Sequence, residues 1–389
     1  MLAGIGAVAI AVALGALAYM SSQMPPVETR PGDIFGVIAD SNLPDIRDES
    51  IKVQKVLQGL SAPTSMAFVG NDLLILQKND GQVRMVQDGK LLARPLLERD
   101  VETASERGLL GIAVKDKFVF LYLTENDNGV KNRVYRYDFD GQSLSNPVMI
   151  LDLPGTPGPN HDGGKMTIGP DGRLYVITGD LNRNGQLQNF AQGAEPDYTS
   201  SILAVDSDGK PATKVIEGLD GYYAYGIRNS FGLDFDPKTG VLWDTENGPD
   251  RYDEINLVRP GFNSGWENVM GPMTGQDNLV VFGGSHYADP VFSWRQPVGV
   301  TDIEFLDAEF GSYSYSIFVG DINNGNLYNF AVNLERTGLE LDDKVADDAD
   351  EVEQYIMGTG FGGITDIETG PDGLLYILSY NGSIYRLTR

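Results

Sequence analysis

The chain has 389 residues and no cysteine, and its 55 acidic and 29 basic residues give a formal net charge of -26 at pH 7. Without cysteine, disulfide bonds and thiolate metal sites cannot contribute to the fold or to catalysis. The acidic excess argues against nucleic acid as a partner, because the phosphates would be repelled. Neutral substrates and divalent cations are compatible with this charge.

The N-terminal segment is the most apolar part of the chain. Residues 2–20 are long enough to cross roughly 30 Å of hydrocarbon as a helix. We predict a signal anchor at 1–22, with a cleaved signal peptide as the alternative, because the stretch lacks a basic start but exceeds a usual signal core in length. Residues 23–50 are predicted to form a linker. The remaining body, 51–389, is expected to work outside the cytoplasm, membrane-anchored or secreted.

The body shows a repeated β pattern. Short apolar runs alternate with Gly, Asn and Asp turns, and no long segment keeps a helical period. Similar units recur at 65–87, 111–139, 166–205, 232–258, 302–332 and 366–387. This repetition predicts an all-β, six-bladed β-propeller, which a two-sheet sandwich would not explain. Residues 51–56 are a spare strand that we expect to complete the last blade beside 383–387.

The stretch 160–180 combines a histidine with a hairpin pattern. His161 is one of only two histidines, so it is the main candidate for proton transfer near neutral pH. Residues 166–168 and 174–178 are predicted strands around a Gly-Pro-Asp-Gly turn that recurs at 370–373. His161 is either a general base that transfers protons or a loop histidine that is hydrogen-bonded to the backbone. The other histidine, His286, is predicted to be structural.

Acidic residues near this stretch have two interpretations each. Asp180 follows the second predicted strand, where its carboxylate orients the His161 imidazole or caps the next turn. Glu106 precedes a Gly-Leu-Leu-Gly turn, where it faces a central channel or is a solvated charge. The sequence alone leaves both choices open.

The stretch 225–266 supplies candidate ligand-binding residues on loops that flank one blade. Arg228 and Asn229 offer donors suited to carboxylate or quinone oxygens, although Arg228 could instead pair with Asp250 or Glu246. A Gly-Pro pair, Gly248 and Pro249, could present carbonyl oxygens to a hard cation such as calcium.

Together these motifs resemble the glucose/sorbosone dehydrogenase family, the soluble quinoprotein aldose dehydrogenases, over most of 51–389. The resemblance rests on Gly-Leu-Leu-Gly at 108–111, on His161 ahead of Gly-Pro-Asp-Gly and Gly-Asp, and above all on 225–266. That last stretch contains, in order, Gly-x-Arg-Asn, Gly-Leu-x-Phe, Glu-x-Gly-Pro, Asp-Glu-Ile-Asn-Leu and Asn-x-Gly-Trp.

The resemblance implies a quinoprotein that oxidises the anomeric carbon of an aldose to a lactone and passes electrons to an external acceptor. It implies pyrroloquinoline quinone held by calcium as the cofactor. His161 would be the base supported by Asp180, and Arg228 and Asn229 would polarise the quinone oxygens. Glu106 would face the sugar or the cofactor. The carbonyls that hold calcium would be those of a Gly-Pro pair, Gly248 and Pro249.

One feature departs from the family pattern. The family places a lysine in the fifth blade and two arginines before the last Pro-Asp-Gly, where they contact the cofactor carboxylates, but 320–325 and 362–366 contain no cation. Lys165 and Arg183 are the candidate replacements. A propeller that binds a carbohydrate or a cell-surface partner without catalysis is therefore the alternative function, and a calcium-dependent lactonase is a third.

Overall fold

The computed structural model describes residues 27–28, 34–184, 195–275 and 278–389. Its strands form six sheets, numbered I to VI in the order in which their innermost strands occur along the chain. The described helices are short, an α-helix at Ala349–Glu353 and a 3-10 turn at Gly311–Tyr313.

The first three sheets are built from consecutive parts of the chain. Sheet I contains Pro63–Val69, Asp72–Gln77, Gln82–Gln87, Lys90–Leu91 and Leu97–Glu98. Sheet II contains Leu109–Lys115, Phe118–Asn126, Val130–Phe139 and Leu144–Pro154. Sheet III contains Met166–Ile168, Leu174–Thr178, Ser201–Val205, Tyr222–Tyr225, Phe262–Asn263 and His286–Tyr287.

The other three sheets take in strands from distant parts of the chain. Sheet IV contains Ser230–Phe235, Leu242–Glu246, Asp253–Val258, Phe292–Trp294 and Val345–Ala346. Sheet V contains Val300–Phe305, Ile317–Asp321, Leu327–Phe330, Ile356–Thr359 and Asp45–Ile46. Sheet VI contains Ile364–Thr369, Leu375–Ser379, Ser383–Thr388, Lys52–Leu57, Val37–Ile38 and Val27–Glu28.

The six sheets close into a ring. The first strand of each sheet packs against the first strands of the sheets before and after it, and the first strand of sheet VI returns to that of sheet I. Lys52–Leu57 pairs antiparallel with Ser383–Thr388, so a strand from the start of the body completes the last sheet. The predicted all-β propeller and its closing strand are confirmed.

Apolar side chains fill the spaces between neighbouring sheets. Six buried clusters each join two adjacent sheets around the ring. Between sheets IV and V, for example, Trp243 meets Phe305 edge to face with ring centroids 5.8 Å apart. Each fully buried side chain of this size stabilises the fold by roughly 1.5–3 kcal/mol. The loops at the ring's ends are thus held by a rigid scaffold.

The hairpin predicted at 166–178 is confirmed with its bounds. Met166 lies opposite Val176, and the Gly172 N–H donates to the Gly169 carbonyl oxygen at 2.8 Å to close the turn. The second Gly-Pro-Asp-Gly forms the same turn, with Gly373 donating to Gly370 at 2.8 Å. The repeated sequence therefore forms equivalent inner hairpins in sheets III and VI.

The segment before the ring is only partly described. Phe35 is fully buried, and Val37–Ile38 and Asp45–Ile46 join sheets VI and V, so the described part of the predicted linker packs on the body. Within the described residues, no helix has the length and apolar character needed to span a bilayer. The predicted helix at 2–20 lies outside the described residues, and the division into 1–22, 23–50 and 51–389 stays a prediction.

Candidate functional site

The His161 loop connects sheets II and III in an unusual backbone conformation. His161 has a φ of 62°, in the left-handed region that non-glycine residues seldom adopt. A Cβ atom at Gly179 would lie 2.2 Å from the His161 carbonyl oxygen, so only glycine fits beside it. Such strain persists where the surroundings impose it, and it is concentrated at functional sites.

The imidazole of His161 is oriented by Asp180. Its Nδ1 lies 2.6 Å from Asp180 Oδ1, and the His161 side chain is 12% exposed. A carboxylate at this position accepts the Nδ1 proton, so Nε2 is left as the acceptor nitrogen. Nε2 makes no hydrogen bond to a described residue, and it is therefore available to a ligand. The two interpretations of Asp180 are both realised, since Oδ1 also accepts the Asn182 N–H at 2.9 Å.

Trp266 holds the other carboxylate oxygen of Asp180. Its indole Nε1–H donates to Asp180 Oδ2 at 2.6 Å, and the indole ring lies under the Arg228 guanidinium, 5.2 Å from centroid to Cζ. Asp180 is almost fully buried, so this bond forms at low dielectric. We call His161, Asp180, Trp266 and Arg228 the reaction cluster.

Arg228 does not form the structural ion pair that was the alternative. Its guanidinium donates through Nη1 to the Asn247 carbonyl oxygen at 2.7 Å, while Glu246 accepts the Arg228 backbone N–H at 2.6 Å. The buried Nε has no hydrogen-bond partner among the described residues. Burial lowers the pKa of Arg228, against the attraction of the Asp180 and Glu246 carboxylates. An unsatisfied buried donor of this kind suits a polar ligand.

Glu106 connects Asn229 to the histidine loop. Its Oε2 accepts the His161 backbone N–H at 2.7 Å and the Asn229 Nδ2–H at 3.2 Å. The Oδ1 atom of Asn229 is buried without a partner within the described chain. Glu106 thus brings together a loop from before sheet II and the junction of sheets III and IV, and it is not a solvated charge.

The Gly-Pro turn lies at one end of sheet IV. Gly248 donates its N–H to Asp253 Oδ1 at 3.0 Å, which fixes the turn. Pro249 borders a cavity of about 310 Å³, together with Asp250, Trp266 and Glu267. In the described part of the chain, no group of three His, Asp or Glu side chains could hold a metal ion. A calcium ion at this turn would depend on carbonyl oxygens and water.

A second cavity, which we call the main cavity, lies at the centre of the ring. It has a volume of about 270 Å³, close to the lower end of the range of roughly 300–1,000 Å³ for small-molecule sites. Its lining includes Glu106 and Asn247, which touch the reaction cluster, and residues from all six sheets or their loops. The loops predicted to converge do meet at this point.

Lys165 reaches the main cavity, but its charge is balanced. Its Nζ donates to Asp302 Oδ2 at 2.8 Å and to Asp366 Oδ1 at 2.5 Å. Burial opposes the charged ammonium, but the two carboxylates outweigh it and hold the pKa of Lys165 above its usual value. We call Lys165, Asp302 and Asp366 the inner-strand cluster. Lys165 is not a free replacement for the missing cations.

Arg183 is also occupied. It binds Asp197 Oδ2 at 2.6 Å and the Thr156 carbonyl oxygen at 2.7 Å. It does not line the main cavity. Lys165 and Arg183, the candidate partial replacements for the missing cations, are thus both already paired with carboxylates.

Two residues at the site have no counterpart in the sequence reasoning. Lys78 lines the main cavity from the loop after the second strand of sheet I, and no motif marks it. Trp266 was visible only as the end of the Asn-x-Gly-Trp motif, without a role. His286, by contrast, lies in the outermost strand of sheet III, as expected for a structural residue.

Comparison with known proteins supplies the context for this arrangement. The model of the family described as Glucose / Sorbosone dehydrogenase matches residues 60–386, more than half of the chain. Aldose sugar dehydrogenase YliI of Escherichia coli K12 is 26% identical over 355 residues, which cover 86% of this chain and 91% of that protein. Quinoprotein glucose dehydrogenase B of Acinetobacter calcoaceticus is 27% identical over 60% of this chain and 56% of its own length.

A solved structure agrees with these relatives. The PQQ-bound form of Aldose Sugar Dehydrogenase from Streptomyces coelicolor aligns with a TM-score of 0.69 and 26% identity, and covers 90% of this chain and 99% of that one. The alignment therefore covers most of both chains.

Proposed function

The chain belongs to the glucose/sorbosone dehydrogenase family, and we propose that it is a quinoprotein that oxidises the anomeric C1–OH of an aldose to a lactone. Each of the six sheets would act as one blade of the propeller. The observation that supports this most is the 2.6 Å contact of His161 Nδ1 with Asp180, which leaves Nε2 available to a ligand. Pyrroloquinoline quinone, which is bound in the structure of the related Streptomyces protein, is the proposed electron acceptor.

Lys78 in the lining of the main cavity, and Arg228 and Asn229, which bond to the lining residues Asn247 and Glu106, are donors that fit such a cofactor. Arg228 Nε is a buried donor without a partner in the described chain, and Asn229 is held beside it. Lys78 adds an ammonium group to the cavity lining. Pyrroloquinoline quinone, when bound, supplies a two-electron acceptor for the C1 hydride. Arg228 and Asn229 would bind the quinone oxygens and stabilise negative charge there.

His161 would take the proton from the sugar hydroxyl. Asp180 fixes the tautomer that presents Nε2 as acceptor and stabilises the imidazolium that forms. Trp266 and the Asn182 N–H hold the carboxylate in place, so little reorganisation accompanies proton transfer. Glu106 would hold the histidine loop in position by accepting the His161 backbone N–H. As a lining residue of the main cavity, it would also face the bound ligands.

Calcium is part of the proposal. The carbonyl oxygens of Gly248 and Pro249 would be its protein ligands, and the cofactor and water would complete the shell. The sugar would enter from solvent, and an external acceptor would remove the electrons. Consistent with the apolar residues 2–20, we place the protein outside the cytoplasm, anchored or secreted.

The proposal is tested by calorimetric titration of pyrroloquinoline quinone with and without calcium, followed by dye reduction with a panel of aldoses. We expect calcium-dependent binding and aldose-dependent reduction. Failure to bind the quinone at any calcium concentration would contradict the proposal. It would favour the second candidate function, a carbohydrate-binding propeller. The absence of cations in residues 320–325 and 362–366 supports this candidate. Glycan binding without the quinone would then be the result to look for.

A further inference from the structure

Two lysines line the main cavity, and they differ in whether a carboxylate balances their charge. Lys165 is neutralised by Asp302 and Asp366, at 2.8 and 2.5 Å. Lys78 forms no ion pair with any described residue, and its Nζ donates only to neutral oxygens, the Ser105 carbonyl at 2.7 Å and Asn79 Oδ1 at 3.3 Å. An ammonium group has three donors. Lys78 therefore keeps a positive charge that is not balanced by a direct contact.

Lys78 is also held firmly in position. Its backbone N–H donates to the Ala62 carbonyl at 3.1 Å, and its own carbonyl accepts the Leu109 N–H at 3.0 Å. Gly108, with a φ of 151°, lies against the side chain, since a Cβ atom at that position would be 2.6 Å from Lys78 Cγ. These contacts join the loops of sheets I and II. The backbone and the base of the side chain are thus fixed, and the bond of Nζ to the Ser105 carbonyl oxygen orients the ammonium group, which lowers the entropic cost of binding an anion.

The rest of the cavity suits a flat, partly aromatic ligand. Leu110, Phe231, Val300 and Ile322 supply apolar surface. Thr64 and Tyr380 add uncharged polar residues to the lining. A volume of about 270 Å³ admits a few fused rings but no polymer. Among small anions, an aromatic carboxylate matches both the walls and Lys78, whose charge has no ion-pair partner among the described residues.

We propose that Lys78 binds a carboxylate of the quinone cofactor and takes over a role that the chain's cation-free loops at 320–325 and 362–366 do not fill. This inference rests on the proposed function, since the cofactor is the aromatic carboxylate invoked. Lys78 would anchor the cofactor from the sheet I side of the cavity. Ile322, just after the second strand of sheet V, and Thr365, in the first strand of sheet VI, would contribute shape.

The affinity that this contact provides should depend on pH, because Lys78 is partly buried. Lys78 is half-buried, and burial lowers its pKa against the attraction of Glu106 and Asp162. Anion binding requires the protonated ammonium, so affinity should fall as the pH rises through the pKa of Lys78. An arginine at this position stays charged at every accessible pH. The Lys78→Arg variant should therefore hold the cofactor at alkaline pH, where the wild-type protein releases it.

The experiment is a fluorescence titration of the calcium-loaded protein with pyrroloquinoline quinone and, separately, with its uncharged trimethyl ester. We expect Lys78→Met to weaken binding of the acid by about 10- to 100-fold, the effect of losing one hydrogen bond between charged groups. Binding of the ester should be unchanged. Lys78→Arg should bind the acid within a few-fold of the wild-type protein. Lys214→Met, which removes an exposed lysine paired with Asp220, is the matched control.

The outcomes distinguish a failure of the Lys78 inference from a failure of the proposed function. If the wild-type protein binds the acid and Lys78→Met binds it equally well, or loses acid and ester alike, Lys78 is not the anchor although the proposed function stands. If the wild-type protein binds neither compound, the proposed function fails and this inference with it. Lys78→Arg also guards against misfolding of the Met variant, because it must restore both affinity and its persistence at high pH.

Discussion

The reaction cluster and the inner-strand cluster both contain buried charged groups, but their hydrogen bonds end differently. In the reaction cluster, His161, Asp180 and Trp266 form a chain whose last atom, His161 Nε2, has no described partner. In the inner-strand cluster, Lys165 is closed between Asp302 and Asp366. Buried charge alone therefore does not identify a reactive group. The open Nε2 of an oriented imidazole is what supports the proposed role of His161, and changes in the two clusters should have separable effects.

The largest effect is expected at the open atom. His161→Ala should lower aldose oxidation by about 10²- to 10⁴-fold, the usual contribution of a general base. Quinone binding and the melting temperature should change little, because the imidazole makes one described hydrogen bond. Steady-state kinetics with calorimetry would measure both.

The other histidine provides the control for that variant. His286→Ala removes an imidazole in the outermost strand of sheet III, and it should leave the rate unchanged. Equal losses of aldose oxidation in the two variants would mean that His161 is not the base. The reaction cluster would then not differ from the inner-strand cluster in function.

Substitutions in the inner-strand cluster should lower the free energy of unfolding. Lys165→Met leaves two buried carboxylates without their cation, and we expect a loss of about 3–5 kcal/mol in the free energy of unfolding. Adding Asp302→Asn should recover part of that loss. Urea denaturation measures both changes.

An exposed ion pair is the reference for Lys165. Lys214 and Asp220 are more than half exposed, so Lys214→Met should cost less than about 1 kcal/mol. A similarly small cost for Lys165→Met would show that its ion pairs do not hold the inner strands together.

Other carboxyl groups on the inner strands make stability depend on pH. Burial raises the pKa of Asp234 to about 7, and burial together with Asp366 raises that of Glu368 to about 8. Both groups stay protonated in the folded protein where the unfolded chain would ionise, so the stability present at low pH is lost as the pH rises through these values. With an unfolded pKa of roughly 4 for both groups, we expect the free energy of unfolding to be about 5 kcal/mol lower at pH 8.5 than at pH 5.5. Glu368→Gln should flatten that slope in urea titrations, and an unchanged slope would count against the assignment.

The smallest effect is expected at Trp266, which is two bonds from the open atom. Trp266→Phe keeps a ring under Arg228 but removes the N–H on Asp180, and it should lower the rate about tenfold, or ~1.4 kcal/mol. Without that donor the Asp180 carboxylate becomes more basic and holds the His161 proton more strongly. The acid limb of the kcat/KM profile should therefore move to higher pH.

Trp294→Phe is the matched control, because the Trp294 Nε1 is buried with no described partner. Its pH profile should coincide with that of the wild-type protein. If Trp266→Phe also leaves the profile in place, Trp266 only packs against the cluster and does not position Asp180.

The sequence predicted the elements whose signals are local. The Gly-Pro-Asp-Gly hairpins, the spare closing strand and the propeller class follow from turn chemistry and period-two patterns. The loops with His161, Arg228 and Gly248 were located for the same reason. The contacts between them, such as that of Glu106 with Asn229, join residues 123 positions apart and depend on ring closure.

The charge balance of the cavity could not be read from the sequence. Lys165 looks free along the chain, but it is neutralised by Asp302 and Asp366 from sheets V and VI. Lys78 looks like an ordinary lysine after a strand, but it lines the cavity without an ion pair among the described residues. Only three-dimensional pairing distinguishes the two.

The most direct test of the account is single-turnover reduction of the quinone bound to the calcium-loaded protein, using an aldose and the same aldose deuterated at C1. We predict aldose-dependent reduction that is slower with the deuterated sugar in the wild-type protein and nearly absent in His161→Ala, which still retains the quinone. Reduction at equal rates in the two proteins, or no reduction of bound quinone by any aldose, would contradict it.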